Sequence, residues 1–416
     1  MLFKKFSYSI ITRGLVAIIN FLILIVSSRY LGVETRGEIS LLILNIANLQ
    51  MISEIFTGYA LVHFIPKFSL KKIVSFGLMW IIVVTILGTL LLKYFNLLIK
   101  NFELEFGIVC LMVILNTFCM VIVLGKENIR WYNWLSIMQP LILASVLSFD
   151  IFVEKKVTLD AYFDALFYSF GFALILNLYL VLKYFSQDKN IDFQLTKIIS
   201  NGFLSQWSNW MNLLSNRFSY YVLSAVALQS LGIYSTATSL IESVFVIYSG
   251  ISTVVLSYVS NENDKEKAKR LTIQAATGSF ILTILAVLIL LAIPESFLIW
   301  ILGKGFTGIK FPMIILSFGV IMISYSAVFS HYFSGIGVLK FNAISNTIAC
   351  LFTILLSSLF IQKWSVSGAA MVATISYTIQ CILIVYFFMK REKISAMDIL
   401  DFSFIKNGIR LKNFNY

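Results

Sequence analysis

Charge is what this chain has least of. Only 12% of its 416 residues are Asp, Glu, Lys or Arg, against about 25% in an ordinary soluble domain. No polar segment is long enough to make a hydrophilic domain, which excludes a soluble protein and most conventional membrane enzymes. Cysteine is scarce as well. Cys110, Cys119, Cys350 and Cys381 all fall in apolar segments. Cys110 and Cys119 share one predicted helix and stand too far apart along it to bond, and there is no CxxC pair. Neither a disulfide framework nor a metal site is indicated. The two histidines, His63 and His331, are isolated, and a lone His is more often a loop or packing residue than a ligand. Paired catalytic carboxylates, a nucleophile beside a base, a nucleotide-binding Gly loop and an ATPase motif are all missing. The expectation is a protein that is not an enzyme and needs no cofactor. Its energy would come from an ion gradient, the membrane potential or downstream consumption.

What fills the chain instead is apolar: 59% of the residues are hydrophobic. About 20 mostly apolar residues cross some 30 Å of hydrocarbon as a helix. Such stretches run near 8–30, 39–62, 73–95, 104–124, 134–153, 160–182, 198–225, 232–259, 272–293, 311–333, 342–361 and 366–389. They lack the period-2 alternation of an outer-membrane barrel, and backbone in lipid must satisfy itself internally. The fold class expected is therefore all-α and polytopic, with about 12 transmembrane helices. The Met1–Lys5 start resembles a signal peptide, but the apolar run that follows has no small-residue cleavage site, so it reads as an uncleaved first pass.

The net charge of +12 belongs to the loops, where Lys and Arg meet anionic headgroups. Nucleic acid is not an expected partner; membrane lipids are. With an even number of passes both termini share one side. Of the 32 Lys and Arg, 22 fall on that side and 9 on the other, with Arg217 inside a pass. The positive-inside rule then puts both termini in the cytoplasm. The expected organisation is residues 1–183 as an amino-terminal six-helix bundle, 184–197 as a cytoplasmic linker, 198–389 as a second six-helix bundle, and 390–416 as a basic cytoplasmic tail. The tail is either a short interfacial helix or a frayed end.

An internal repeat supports two halves. The first loop reads Arg29-Tyr30-Leu31-Gly32-Val33-Glu34-Thr35-Arg36-Gly37-Glu38-Ile39-Ser40, and the loop before the eighth pass ends Leu231-Gly232-Ile233-Tyr234-Ser235. Each opens a helix with Gly-x-x-Ser, and the two copies lie 195 residues apart. Six passes plus six, entered in the same direction, suggest parallel halves related by an axis along the membrane normal. Substrate paths in such proteins lie at the repeat interface, so passes one, two, seven and eight are the first place to look.

These motifs carry a resemblance. Arg29-Tyr30-Leu31-Gly32 with Gly37-x-x-Ser40 resembles the first-loop signature of Wzx-type polysaccharide flippases of the multidrug/oligosaccharidyl-lipid/polysaccharide (MOP) exporter superfamily. Leu231 to Ala237 is similar to its second-half counterpart. Ile301-Leu302-Gly303-Lys304-Gly305-Phe306 resembles the loop between passes nine and ten. Gly368-Ala369-Ala370 with Ala373-Thr374 resembles the last-pass signature, where small residues let helices pack closely. The resemblance spans the chain. Members often carry Arg-x-Asp in pass seven; here Arg217-Phe218-Ser219 puts Ser at the Asp position. The resemblance implies two six-helix bundles like those of multidrug (MATE) exporters and lipid II flippases, working by alternating access. It implies a substrate of undecaprenyl-pyrophosphate-linked oligosaccharide, O-antigen units foremost, moved across the bacterial inner membrane. The polymerase and chain-length regulator of such a pathway would be candidate partners.

A pyrophosphate-sugar headgroup is anionic and rich in hydroxyls, so its carrier needs cationic forks and neutral hydrogen-bonding groups in a wet cavity. Arg217 is the one basic residue well inside a pass, either a headgroup contact or the partner of a carboxylate. Arg13 and Arg29 stand at the two ends of pass one, as ligands or as snorkelling and helix-end anchors. Glu54 and Glu242 are the most buried carboxylates, at comparable places in the two halves; each would titrate in a coupled cycle or balance an Arg. Asn20 in pass one, Asn45 and Asn48 in pass two, and Asn209, Asn212, Asn216 and Ser219 in pass seven recur at helical spacing and read as a polar cavity lining. Two rivals share the hydropathy. A drug exporter would have a more apolar or acidic cavity. An O-antigen polymerase would have a large outer loop, whereas the longest here is the short one near 293–310.

Overall fold

The computed structural model describes residues 2–185, 195–395 and 399. The middle of the expected linker and most of the expected tail lie outside them. Among the described residues there is no strand. The helices are α1 (Leu2–Val26), α2 (Gly32–Thr57), α3 (Leu70–Tyr94), α4 (Glu103–Gly125), α5 (Ile129–Phe152), α6 (Leu159–Phe185), α7 (Leu195–Val226), α8 (Leu228–Glu242), α9 (Phe245–Asn261), α10 (Lys265–Ala292), α11 (Glu295–Leu302), α12 (Lys310–Gly335) and α13 (Lys340–Glu392).

Eight described helical stretches are long and apolar enough to cross a membrane, or nine if α8 and α9, bent by 48° to one another, count as one. Two of the eight, Thr12–His63 and α13, run for 52 and 53 residues. At 1.5 Å per residue each is about 80 Å long, more than twice the hydrocarbon thickness. Each is broken where it must turn. The first is interrupted at Gly32, whose φ of 87° is one that glycine adopts without strain. The second breaks at Ser365, with φ 45° and ψ −120°. There the chain doubles back so tightly that a Cβ on Gly368 would collide with the Phe360 carbonyl. α7 is more polar than these stretches, being rich in Ser and Asn. With those two breaks, α7 and the bent α8–α9 pair counted, helices lie over each of the twelve expected stretches among the described residues.

The passes expose apolar rows. On α3 these are Ile82, Ile86, Leu87, Leu90 and Leu91, on α10 Leu285, Leu288 and Ile289, and on α13 Leu351, Leu355 and Leu359. Rows of that length facing outward need hydrocarbon as solvent, and the chain is a multi-pass membrane protein. Hydroxyls within the helices turn back onto their own backbone. Thr117 donates to the Val113 carbonyl (3.0 Å), Thr272 to Ala268 (2.7 Å) and Thr347 to Ala343 (2.7 Å), so these three are satisfied locally.

Two compact units emerge. The first comprises residues 1–210, 224–236 and 298–307. In it α5 packs on α6 and α1, and α4 on α6 and α3. Its core gathers Phe118, Ile122, Cys110, Leu147 and Ala161. A buried amide pair, Asn177 donating to Asn116 at 2.7 Å, ties α6 to α4. Gly77 lies against the Phe118 ring and Gly88 against Leu49, close approaches that a Cβ would prevent. The second unit comprises 211–223, 237–297 and 308–416. In it α12 packs on α13, α10 and α9. Its core is aromatic: the ring centres of Phe329 and Phe388 are 4.6 Å apart, and those of Tyr332 and Phe388 5.0 Å.

The stretch expected as a plain outer loop near 293–310 is mostly ordered helix. α11 fills it, followed by a 3-10 turn at Lys304–Phe306. Its ends are stapled by charge. Lys310 donates to the Leu291 and Ile293 carbonyls at the end of α10, a favourable place for a cation. Pro140 sits inside α5 without ending it. Pro312 falls in the first turn of α12, where its missing N–H costs nothing.

Candidate functional site

Among the described residues a polar cluster stands out in each unit. In the first unit the cluster forms where α2 meets the amino-terminal part of α7. Glu54 is 7% exposed and accepts a hydrogen bond from Gln50 Nε2 at 2.8 Å. Among the described residues no Lys, Arg or His pairs with it. α2 ends just beyond, with the Gly58 amide donating to the Glu54 carbonyl at 3.0 Å. A Cβ on Gly58 would stand 2.6 Å from Gln206 Nε2, so the Gln206 amide lies over this helix end. Asn209 donates to Gln206 Oε1 at 3.4 Å, and Trp210 Nε1 donates to Asn48 Oδ1 at 2.9 Å. The arrangement is a buried carboxylate among amides, without a cation. Such a group suits a proton or a small cation.

The second cluster is an ion pair. Both terminal nitrogens of Arg217 donate to Glu242, Nη1 to Oε1 at 2.9 Å and Nη2 to Oε2. Tyr377 donates its hydroxyl to the same Oε1 at 2.5 Å. The guanidinium also lies over the Tyr220 ring, 5.4 Å from its centre. Side-chain exposure is 23% for Arg217 and 12% for Glu242. The fork-to-fork geometry is the strong form of this contact. Breaking one partner away from a buried pair costs about 3–5 kcal/mol, since it strands the other charge.

Beside the pair runs a seam of neutral groups joining α7 to α13. Ser215 and Ser376 share a hydrogen bond of 2.5 Å. Gln380 donates to Asn212 Oδ1 at 3.3 Å and to Ser215 Oγ at 3.1 Å. Thr353 donates to the Ser215 carbonyl at 3.1 Å, and Ser219 meets Ser357 at 3.3 Å. Asn216 Oδ1 is buried with no hydrogen-bond partner.

The residues singled out in the sequence therefore divide. Asn48, Glu54 and Asn209 come together in the first cluster, and Asn212, Asn216, Arg217, Ser219 and Glu242 in the second. Arg13 and Asn20 lie exposed on α1. Asn45 is buried and donates to the Leu97 carbonyl at 2.8 Å, tying α2 to the loop after α3. Arg29 donates to the Trp300 and Ile301 carbonyls at the end of α11, the position of a helix-end anchor. Ser219 meets Ser357 rather than Arg217, and the carboxylate that pairs with Arg217 is Glu242 on α8. Tyr377, Ser376 and Gln380 were not legible as site residues. Their signal, a polar 376–377–380 step in an apolar pass, comes directly after a motif that reads as close packing.

The fold has clear counterparts among solved structures. The lipid II flippase MurJ in an inward closed conformation is similar with a TM-score of 0.69 and 15% identity, over 95% of this chain and 89% of that chain. An inward-facing multidrug resistance MATE family transporter of the MOP superfamily gives 0.68 and 12%, over 92% and 98%. A MOP superfamily transporter from Pyrococcus furiosus, described by the reverse polarity of its binding pocket, gives 0.63 and 13%, over 93% and 94%. No protein-family model matches the sequence. No curated protein matches it either. At these identities the likeness is one of architecture: the chain has the MATE/MurJ-like polytopic transporter fold.

Proposed function

We propose that this protein is a flippase for undecaprenyl-pyrophosphate-linked oligosaccharide repeat units, O-antigen units foremost. It works by alternating access in the bacterial inner membrane with both termini in the cytoplasm. The observation that carries the reading is the polar edge of α7. Gln206, Asn209, Asn212, Asn216 and Arg217 succeed one another at helical spacing through a pass whose neighbours are apolar. Amides and hydroxyls along a pass suit a sugar chain, which offers many hydroxyls and no charge. Arg217 suits the pyrophosphate, whose oxygens match the guanidinium fork as a carboxylate does. In the resting pair that fork is taken by Glu242. Protonation of Glu242, or competition from a pyrophosphate, frees it. Glu54, with no cation paired to it among the described residues, is the second proposed coupling group. The lipid-linked oligosaccharide is the proposed substrate, and the polymerase and chain-length regulator of its pathway the proposed partners.

One observation favours a second reading, a multidrug exporter of the same superfamily. Arg217 and Glu242 neutralise one another, so the second cluster has no net positive charge. Deletion of the gene in its native strain separates the two, with surface polysaccharide and the sidedness of the lipid-linked oligosaccharide as readouts. Loss of polymer with the intermediate trapped on the cytoplasmic leaflet supports the flippase. Normal polymer removes it and leaves the exporter. Single units gathering on the outer leaflet would point to a polymerase.

A further inference from the structure

Within the first unit, α3 and α4 pack side by side, and an apolar groove of about 320 Å³ runs between them. It extends from Ile82 to Leu90 on α3 and from Glu103 to Leu111 on α4. At 1.5 Å per residue that is about 12 Å, most of the roughly 15 Å of hydrocarbon in one leaflet. Thr85, Thr89 and Gly107 form its floor, and the exposed side chains of Ile86, Leu90 and Ile108 form its walls. Tight helix packing does not require the groove. A Cβ on Gly107 would meet Thr89 at 3.9 Å, an ordinary contact, whereas a Cβ on Gly77 or Gly88 of α3 would collide with Phe118 or Leu49. Two charges stand at one end of the groove. Lys93, in the last turn of α3, pairs with Glu103, in the first turn of α4, at 3.7 Å. Their side chains are 61% and 35% exposed, so the pair contributes little to folding and both charges stay open to a ligand.

We propose that this groove binds one acyl chain of a phospholipid whose headgroup carries both a phosphate and an ammonium, phosphatidylethanolamine being the simplest. The inference goes beyond the transport reading and depends on neither the cargo nor the cycle. Hydrocarbon surrounds every outward face of the protein, so an apolar groove by itself selects no lipid. What a chain gains there is close dispersion contact on several sides, which a convex helix row does not offer. Selection falls to the charged end. Lys93 donates to a phosphate oxygen and the lipid ammonium donates to Glu103, both in charge-assisted hydrogen bonds. A lipid that has a phosphate and no ammonium, such as phosphatidylglycerol, meets Glu103 as a like charge. A prenyl pyrophosphate does so too, which sets this site apart from any path for such a cargo. The depth also fits. Lys93 and Glu103 mark the headgroup level, and the exposed ring of Tyr94 stands beside them, where an interfacial tyrosine is favoured.

The test uses the full chain in vesicles of equal parts phosphatidylethanolamine and phosphatidylglycerol. A trace of one lipid or the other carries a photoactivated diazirine on its acyl chain, and adducts are mapped to peptides by mass spectrometry. The ethanolamine probe is expected to mark residues 82–111 about tenfold more densely than the glycerol probe does. It should also mark them more densely than it marks the outward rows of α10 and α13. Gly107→Leu fills the groove and should bring labelling of 82–111 down to the level of those rows. Glu103→Lys replaces the acceptor of the ammonium with a second cation and should reverse the preference between the probes. Glu103→Gln, the milder change, should abolish the preference without reversing it, and keeps the test decisive where Glu103→Lys fails to fold. Equal labelling of 82–111 by the two probes in the wild-type chain would overturn the site. So would undiminished labelling of a folded Gly107→Leu chain. Neither readout involves transport, so failure here leaves the flippase reading untouched, and failure of that reading leaves the lipid site standing.

Discussion

The hydroxyls of Ser40 and Ser235 lie 2.7 Å apart although 195 residues separate them in the chain. Three and seven residues before each serine come a glycine and the residue whose carbonyl receives the opposite glycine. Each side of this contact presents the same pattern to the other.

This geometry sets the cost of adding a single methyl group. Gly232→Ala and Gly37→Ala each press a Cβ into a backbone carbonyl that cannot rotate away. Each should lower thermal stability in detergent by about 1–3 kcal/mol, as overpacking does. Gly250→Ala is the control. It is within α9 with nothing within 4 Å of the new atom, and helix propensity should leave it neutral or up to about 1 kcal/mol more stable. Equal losses at all three positions would remove the steric argument.

Arg217→Ala should reduce the amount of folded protein, because Glu242 keeps only the Tyr377 hydroxyl. A loss of about 3 kcal/mol is expected for a stranded buried partner. Glu242→Gln in the same chain should recover much of that stability by removing the charge. Export distinguishes the roles. If Arg217 touches the headgroup, the stabilised double variant still exports nothing, whereas a purely structural pair lets export return.

How much of this was legible in the sequence follows from what each feature depends on. The passes depend on composition summed over about 20 residues, and each of the twelve stretches read from hydropathy falls on helix. The Gly-x-x-Ser repeat depends on spacing alone, so its place in each half was readable. Pairing depends on how a helix is rotated about its axis. Arg217 and Glu242 were both singled out, but whether the arginine met a carboxylate or a headgroup was left open. Arg29 showed the same limit: its carbonyl partners lie 271 and 272 residues away. The break at Ser365 falls in the gap read between the stretches 342–361 and 366–389, although no glycine or proline marks the turning residue itself.

Glu54→Gln preserves the size of the side chain and its contact with Gln50, so membrane levels of the protein should be unchanged or slightly raised. If Glu54 couples transport to a gradient, export in this variant should become insensitive to a protonophore or to external sodium. Wild-type sensitivity in a normally abundant variant would exclude Glu54 from coupling.

The hairpin in α13 offers a test of the fold itself. Ser365 holds a φ of 45° that favours glycine, so Ser365→Gly should stabilise the protein by about 1 kcal/mol. Gly368→Ala should destabilise it, because the added methyl meets the Phe360 carbonyl. Thermal unfolding followed by tryptophan fluorescence reports both. The same direction of change in the two variants would contradict the turn geometry.

The most direct test of the central claim is lipid transfer by the purified protein in vesicles. A labelled prenyl-pyrophosphate oligosaccharide is placed in one leaflet, and its arrival in the other is read with a membrane-impermeant reagent that attacks the sugar. The account predicts transfer well above that in protein-free vesicles, lost in the Arg217→Ala/Glu242→Gln chain. Transfer no faster than in protein-free vesicles, by protein shown to be folded and correctly inserted, would contradict it.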